Sequence, residues 1–395
     1  MNAADIAEMQ KTYLIPTYAP QLALVKGSGT KVWDAEGNEY LDFLAGIAVL
    51  NVGHCHPNVV KAIQDQAATL MHVSNLYYNE KQPQLAKALA EKAGGGKCFF
   101  CNSGAEANEG LIKLARLWGS DKGKFKVITM KNSFHGRTLA TLTATGQEKV
   151  QKGFAPLPEG FAYAEFNNLD SVKAAITEQT AAVLVEAVQG EGGIIPADPE
   201  FISGLRALCD EKDILLMFDE VQAGVGRTGK WFSFQHYDVQ PDAFSLAKGL
   251  GNGFPIGALV AAPKLANIFQ PGHHATTFGG TPLACAAALA VLETIEQEKL
   301  LENAAAMGEL LLNKLQAIAE QYDWIEGARG CGLMVGLVLN DSALPLQKKL
   351  QEKGLLTLAT AVRVLRMLPP LTVTTEEIEQ AVAWIAEACA ELDTQ

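Results

Sequence analysis

Asp219 and Lys248 are the first residues of this chain whose placement suggests chemistry. Asp219 closes the apolar run Ile214-Leu215-Leu216-Met217-Phe218 and is followed at once by Glu220. Lys248 follows a weaker apolar segment, Ala243-Phe244-Ser245-Leu246-Ala247, and precedes a glycine-rich turn. Such short apolar runs read as buried strands, and in a parallel sheet ligands bind beyond the strands' C-terminal ends. An acid and an amine at one rim suit pyridoxal phosphate. The amine holds the aldehyde as a Schiff base, and the acid keeps the pyridine nitrogen protonated so that the ring takes up electrons from the substrate carbon. Singly, each residue also reads as ordinary, the acid as a cap or surface ion pair and Ala-Lys-Gly as a common tripeptide.

Three further stretches sit at predicted strand ends. Residues 99–102 run into Ser103-Gly104-Ala105-Glu106 and a helix-period segment with Leu111, Leu114 and Trp118. Ser103 fits an N-cap, and Glu106 three residues on completes a capping box. The same helix start, with Gly104 permitting close approach, makes a site for a dianionic phosphate. Phe134-His135-Gly136-Arg137 follows the strand 127–130. An aromatic ring there can stack on a flat cofactor, and an arginine can take a carboxylate bidentately. The run 185–193 carries Glu186 and Glu191, two acids that are costly unless each faces a cation or a donor.

Other motifs fail on context. Gly224-Val225-Gly226-Arg227-Thr228-Gly229 matches G-x-G-x-x-G after a predicted strand. Lys230-Trp231-Phe232-Ser233-Phe234 then reads as strand-like, not as the helix that would hold a pyrophosphate, so a nicotinamide site is rejected. Cys98 and Cys101 lie three apart in an apparent strand and face opposite sides. Gly53-His54-Cys55-His56-Pro57 reads as a turn, with no second cluster at zinc spacing. No metal is expected.

The elements that must position these residues alternate. Strands at 98–101, 125–130, 181–187, 214–218 and 258–261 are separated by helical stretches such as 106–118 and 200–212, which indicates a mostly parallel α/β sheet. Residues 12–50 read as an extended entry and a small hairpin, 31–34 with 40–43. Helices follow at 58–70 and 85–93. After Thr281-Pro282 a long helical region runs through 315, with a strand-like 332–339 and a last helix at 375–392. At 395 residues, 48% hydrophobic and 19% charged, the chain suits a two-domain globular enzyme. Lys+Arg 32 against Asp+Glu 44 gives a net charge of −12, which argues against nucleic acid or an anionic membrane as partner. The polar start and scattered cysteines lead us to expect a cytoplasmic protein without a leader.

The motifs Ser103-Gly104-Ala105-Glu106-Ala107-Asn108, Phe134-His135-Gly136-Arg137, the run 186–193, Asp219-Glu220-Val221-Gln222, Lys248 and Thr276-Thr277-Phe278-Gly279-Gly280 occur in order. Together they resemble the class III (ornithine-type) aminotransferases of PLP fold type I, over essentially the whole chain. The resemblance implies a large PLP-binding α/β domain (53–285) and a smaller α+β domain built from both chain ends (1–52 and 286–395). It implies that Lys248 forms the Schiff base and shuttles the proton, that Asp219 pairs with the pyridine nitrogen, and that Gln222 bonds the ring hydroxyl. Phe134 and Val221 would sandwich the ring, with Glu186 supporting Asp219 and Gln222. Ser103, Gly104 and Ala105 would hold the phosphate, joined by Thr277 of a partner subunit in a homodimer with composite sites. Arg137, helped by Tyr18, would take the carboxylate far from the reacting amine; Arg366, or its neighbour Arg363, would take the one beside it, with Glu191 as its alternate partner.

The activity implied is transfer of the ω-amino group of N-acetylornithine to 2-oxoglutarate. Ornithine, succinylornithine, succinyl-diaminopimelate and 4-aminobutyrate are rival donors, and a glutamate-1-semialdehyde mutase shares the cofactor site. A non-catalytic binding protein on the same fold is opposed by the intact Lys248 and Asp219. Asp219→Asn is expected to keep size and hydrogen bonding while removing the charge.

Overall fold

The computed structural model describes residues 1–394. Among these residues, seven strands form a central sheet: β1 (Lys97–Cys101), β2 (Lys126–Met130), β3 (Phe161–Ala164), β4 (Thr180–Val185), β5 (Leu215–Asp219), β6 (Ala243–Leu246) and β7 (Gly257–Ala261). Their spatial order is β1-β7-β6-β5-β4-β2-β3. Only β7 runs against its neighbours; the other pairings are parallel. Strands β4 to β7 are buried at every position, which is why they read as unbroken apolar runs without alternation.

The two faces still separate with period two. Leu216 and Phe218 of β5 pack with Ile202 and Leu205 of the helix Pro199–Lys212. Leu215 and Met217 pack with Leu111 and Leu114 of the helix Gly104–Gly119. Each such side chain contributes roughly 1.5–3 kcal/mol by leaving water. The sheet is thereby clamped between helices, and its C-terminal rim is a rigid platform.

A second sheet pairs Leu24–Ser28, Lys31–Asp34 and Glu39–Asp42 with Leu355–Leu356 from far down the chain. A third is formed by Ile325–Cys331, Met334–Leu339, Leu358–Thr360 and Val364–Met367. No helix among the described residues is long and apolar enough to cross a membrane.

Several elements differ from expectation. The helix Ala3–Tyr13 buries none of its residues, so it leaves no apolar stripe to read. β3 is a four-residue edge strand, too short to show a pattern. The helical region 281–315 is two helices, Pro282–Gln297 and Leu300–Ala319, broken where Lys299 takes φ +54°. The aromatic run 230–234 is not a strand. The buried Glu220 carboxylate accepts from Ser233 N (2.8 Å), Ser233 Oγ (2.6 Å) and Phe234 N (3.0 Å), which removes the N–H groups a ladder would need.

Candidate active site

A cavity of about 390 Å³ opens at the C-terminal rim. Asp219 ends β5, and its register partner on β6 is Ser245, three residues before Lys248; adjacent parallel strands thus deliver the acid and the amine to one cavity. Lys248 adopts φ +43°, a conformation uncommon outside glycine and concentrated at functional sites. Ser103, Gly104 and Ala105 from the end of β1, Phe134 and Arg137 after β2, Glu186 after β4, and Val221 and Gln222 after β5 complete the lining.

Asp219 is held from four directions. Its Oδ2 accepts from Asn108 Nδ2 and His135 Nδ1, each at 2.7 Å. Its Oδ1 accepts from Val221 N (3.0 Å) and Ser245 Oγ (3.4 Å). Burial would lower the His135 pKa, but the hydrogen bond to Asp219 and the charges of Asp219 and Glu186 prevail and raise it. Asn108 and His135 are two functional residues to which the sequence motifs assign no role. Asn108 stands one helical turn beyond Gly104, on the same face, and that spacing was the available signal.

Glu186 is buried in the cavity wall, and burial above all pushes its pKa up to about 8. Its carboxylate accepts from Phe134 N (3.2 Å) and Gly190 N (3.4 Å). Its hydrogen bonds therefore brace the aromatic residue and the glycine loop, not Asp219 and Gln222 as expected. The capping box also closes differently. Ser103 Oγ accepts from Glu106 N (3.2 Å), but Glu106 reaches past Ser103 to Asn102 N (2.6 Å). The helix start is fastened from outside.

Arg366 lies in the strand Val364–Met367 with none of its surface exposed. Its Nη1 donates to Glu191 Oε1 and to Gln222 Oε1 (3.3 Å), while Nε and Nη2 have no partner among the described residues. Arg366 draws the Glu191 pKa down against the opposing effect of burial. Arg363 instead pairs with Glu326 and bonds Leu339 O, so the geometry selects Arg366. Burial lowers the Lys248 pKa; Glu191, Asp219 and Glu186 oppose that, and Arg366 adds to it.

Arg137 is exposed at the mouth, 5.4 Å above the Phe134 ring, and also lines an adjoining hollow of about 280 Å³ with Glu191. Four expected residues do not line the cavity: Glu191 and Arg366, which Gln222 joins to it, and Tyr18 and Thr277. Tyr18 is 86% exposed, in an extended segment between prolines, and does not reach Arg137. Thr277 is exposed beside Phe278 and is not part of this chain's cavity wall.

The remaining motifs disperse. His54 pairs with Asp42 (2.7 Å) and His56 with Glu298 (3.1 Å). Burial raises the Cys98 and Cys101 thiols to about 12. Residues 224–229 lead into turns and a four-residue 3-10 segment, so no helix N-terminus stands there for a dinucleotide.

A mostly parallel sheet with a buried acid and an amine at its rim suits an aminotransferase, and the family match gives the class: residues 15–389 match the family described as Aminotransferase class-III, and the chain belongs to it. Its relatives are more particular. It is 51% identical to the acetylornithine aminotransferase of Caldanaerobacter subterraneus, over 97% of this chain and 98% of that one. It is 48% identical to the acetylornithine aminotransferase of Methanocaldococcus jannaschii, over 99% and 100%. Among solved structures, the ornithine aminotransferase of Toxoplasma gondii, described with partial occupancy of PLP at its active site, superposes with TM-score 0.96. That match has 33% identity and covers 100% of this chain and 96% of that chain.

Class III aminotransferases are pyridoxal-phosphate enzymes, and the cavity fits the cofactor. Gly104 and Ala105 present helix-start amides that intrahelical bonds do not use. A Cβ at Gly104 would lie 2.7 Å from Val221 Cγ1, so only glycine leaves that wall open.

Proposed function

We propose that this enzyme moves the ω-amino group of N-acetylornithine to 2-oxoglutarate, giving N-acetylglutamate semialdehyde and glutamate in arginine biosynthesis. The observation that carries the reading is the buried Arg366, paired on one side with Glu191 and unpartnered at Nε and Nη2. It suits a site that binds a substrate with a carboxylate beside the reacting carbon and one without. The names of the relatives support the acetylated donor; the name of the solved structure favours ornithine as the second reading. A panel of amino donors decides between them, with the highest kcat/KM expected for N-acetylornithine.

When bound, pyridoxal phosphate supplies an aldehyde for the Lys248 amine and a ring that stores an electron pair. Ser103, Gly104 and Ala105 would hold its phosphate, Phe134 and Val221 its two faces, Gln222 its hydroxyl and Asp219 its ring nitrogen. The depressed Lys248 pKa leaves Nζ able to take a proton from the substrate carbon and return it. Arg137 at the mouth would take the carboxylate remote from the reaction.

Glu191 makes the two half-reactions separable. With no carboxylate beside the reacting carbon, Glu191 neutralises Arg366; for glutamate it swings aside. Removing one partner of a buried pair costs about 3–5 kcal/mol. Glu191→Ala is therefore expected to slow the N-acetylornithine half-reaction on the order of 10²-fold more than the glutamate half-reaction, and Arg366→Ala to do the reverse. Single-turnover absorbance changes with each amine measure both; equal losses would abolish the switch.

The exposed Thr277 and Phe278 fit a homodimer in which Thr277 reaches the partner's phosphate site. Mixed with Thr277→Ala subunits, Lys248→Ala subunits should then regain activity. One hybrid site carries both defects and the other neither. If Thr277 served its own chain, no hybrid site would be clean and no activity would return. The sheet shared by Glu39–Asp42 and Leu355–Leu356 supports a small domain of residues 1–52 and 286–395 beside a large domain of 53–285. A cytoplasmic location fits a biosynthetic enzyme with seven free cysteines among its described residues.

A further inference from the structure

The loop 224–229, with its glycine-rich pattern, holds a buried arginine that touches no part of the cavity. Arg227 has none of its surface exposed. Its described partners are all neutral: Nη1 donates to Leu333 O (3.2 Å) and to Pro369 O, and Nη2 to Asn51 Oδ1 (2.7 Å). Its own carbonyl accepts from Leu333 N (3.0 Å). A fully buried guanidinium bound only to neutral acceptors is costly, and burial pushes its pKa down to about 9. The polar groups it serves belong to three chain segments, at Asn51, Leu333 and Pro369.

Asn51 passes the constraint on. Its Nδ2 donates to Val225 O (2.7 Å), and its carbonyl accepts from Leu371 N (2.7 Å). Its side chain lies against Gly249, the residue after Lys248; a Cβ there would sit 2.6 Å from Asn51 Cγ. The next residues repeat the contact. Asn252 Oδ1 accepts from Val52 N and its Nδ2 donates to Gly53 O, both at 2.9 Å. The turn 248–253 that carries Lys248, with its left-handed φ of +43°, thus rests on residues 51–53. The first of those residues, Asn51, is held in turn by Arg227.

We propose that Arg227, acting through Asn51, is a positioning residue that sets where the Lys248 amine stands in the cavity. The proposal rests on Lys248 being the reacting amine. Arg366 is held by the ladder between Val364–Met367 and Met334–Leu339, whose end Arg227 braces at Leu333 O and Pro369 O, bonds that Asn51→Ser leaves in place. Loss of the Arg227–Asn51 link should therefore displace the lysine and leave the carboxylate sites in place.

The test uses the pyridoxal-phosphate-loaded enzyme and two variants, Arg227→Lys, which keeps the charge but not the fork, and Asn51→Ser, which keeps Arg227. A displacement near 1 Å is worth on the order of 10²-fold in rate. In Asn51→Ser, single-turnover rates should fall by about that factor, equally with N-acetylornithine and with glutamate, since Lys248 moves the proton in both. The half-saturating amine concentration should change less than about twofold. In the cofactor-free variants, backbone amide exchange of the peptide 248–253 should accelerate. Variants that lose thermal stability yet keep wild-type single-turnover rates and wild-type exchange at 248–253 would overturn the proposal. If Arg227→Lys does not fold, Asn51→Ser decides alone. Borohydride mapping of the wild type separates the two failures: cofactor fixed at a lysine other than 248 defeats the functional reading, whereas cofactor fixed at Lys248 with unaffected variants defeats only this inference.

Discussion

Lys248→Ala protein is expected to bind pyridoxal phosphate and to turn over roughly 10⁴-fold more slowly than wild type, or worse. Binding should survive because the groups proposed for the phosphate and ring come from other elements. Ser103, Gly104 and Ala105 start the helix Gly104–Gly119, and Asp219 ends β5. None of these is hydrogen-bonded to Lys248. Turnover should collapse because no other described lysine lines the cavity, so the variant lacks both the covalent tether and the proton carrier. Alanine at φ +43° is no more strained than lysine, so the fold should hold. Borohydride reduction of wild-type enzyme, followed by peptide mapping, should place the cofactor on Lys248. Retention of more than about one per cent of the rate in the variant would remove Lys248 from the chemistry.

The sequence exposed what burial makes uniform and hid what burial makes exceptional. β4 to β7 were visible because strands covered on both faces are apolar throughout. The acid and the amine were visible because each interrupts such a run at its end. Arg366 was harder to separate from Arg363, because both flanking residues, Leu365 and Met367, are also wholly buried and no alternation marks which arginine points inward. Asn108 and His135 went unassigned for a related reason. A buried polar residue is legible only through its partner, and Asp219 lies 111 and 84 residues away from them. Tyr18 shows the opposite limit. Its segment makes no regular backbone pairing in this chain, so nothing in the local pattern fixes where its ring goes.

Asp219→Asn is the second large effect, and the structure changes what it should look like. The carboxylate accepts from four donors: Asn108 Nδ2, His135 Nδ1, Val221 N and Ser245 Oγ. An amide presents one acceptor oxygen and one donor nitrogen, so either the Asn108–His135 side or the Val221–Ser245 side meets an N–H. The expectation that hydrogen bonding survives is thus corrected; about 1–3 kcal/mol of stability should go with each stranded donor. The charge is lost as well. Against burial, Asp219 and, after it, Glu186 raise the His135 pKa above its ordinary value of 6.5, and the variant loses the larger part of that support. In the wild type the raised His135 pKa contributes stability that is complete below about 6.5 and lost as pH rises through the higher folded value. The difference in thermal midpoint between wild type and Asp219→Asn should accordingly shrink toward alkaline pH. The proton-abstraction step should slow by on the order of 10²–10³-fold, the range for removing one preorganised electrostatic partner. Asn108→Ala provides the control, since it removes one donor and leaves the charge. It should cost stability of the same order but far less rate. Equal rate losses in the two variants would assign the effect to hydrogen bonding, and a near-wild-type rate for Asp219→Asn would end the role of Asp219 in stabilising the electron-accepting ring.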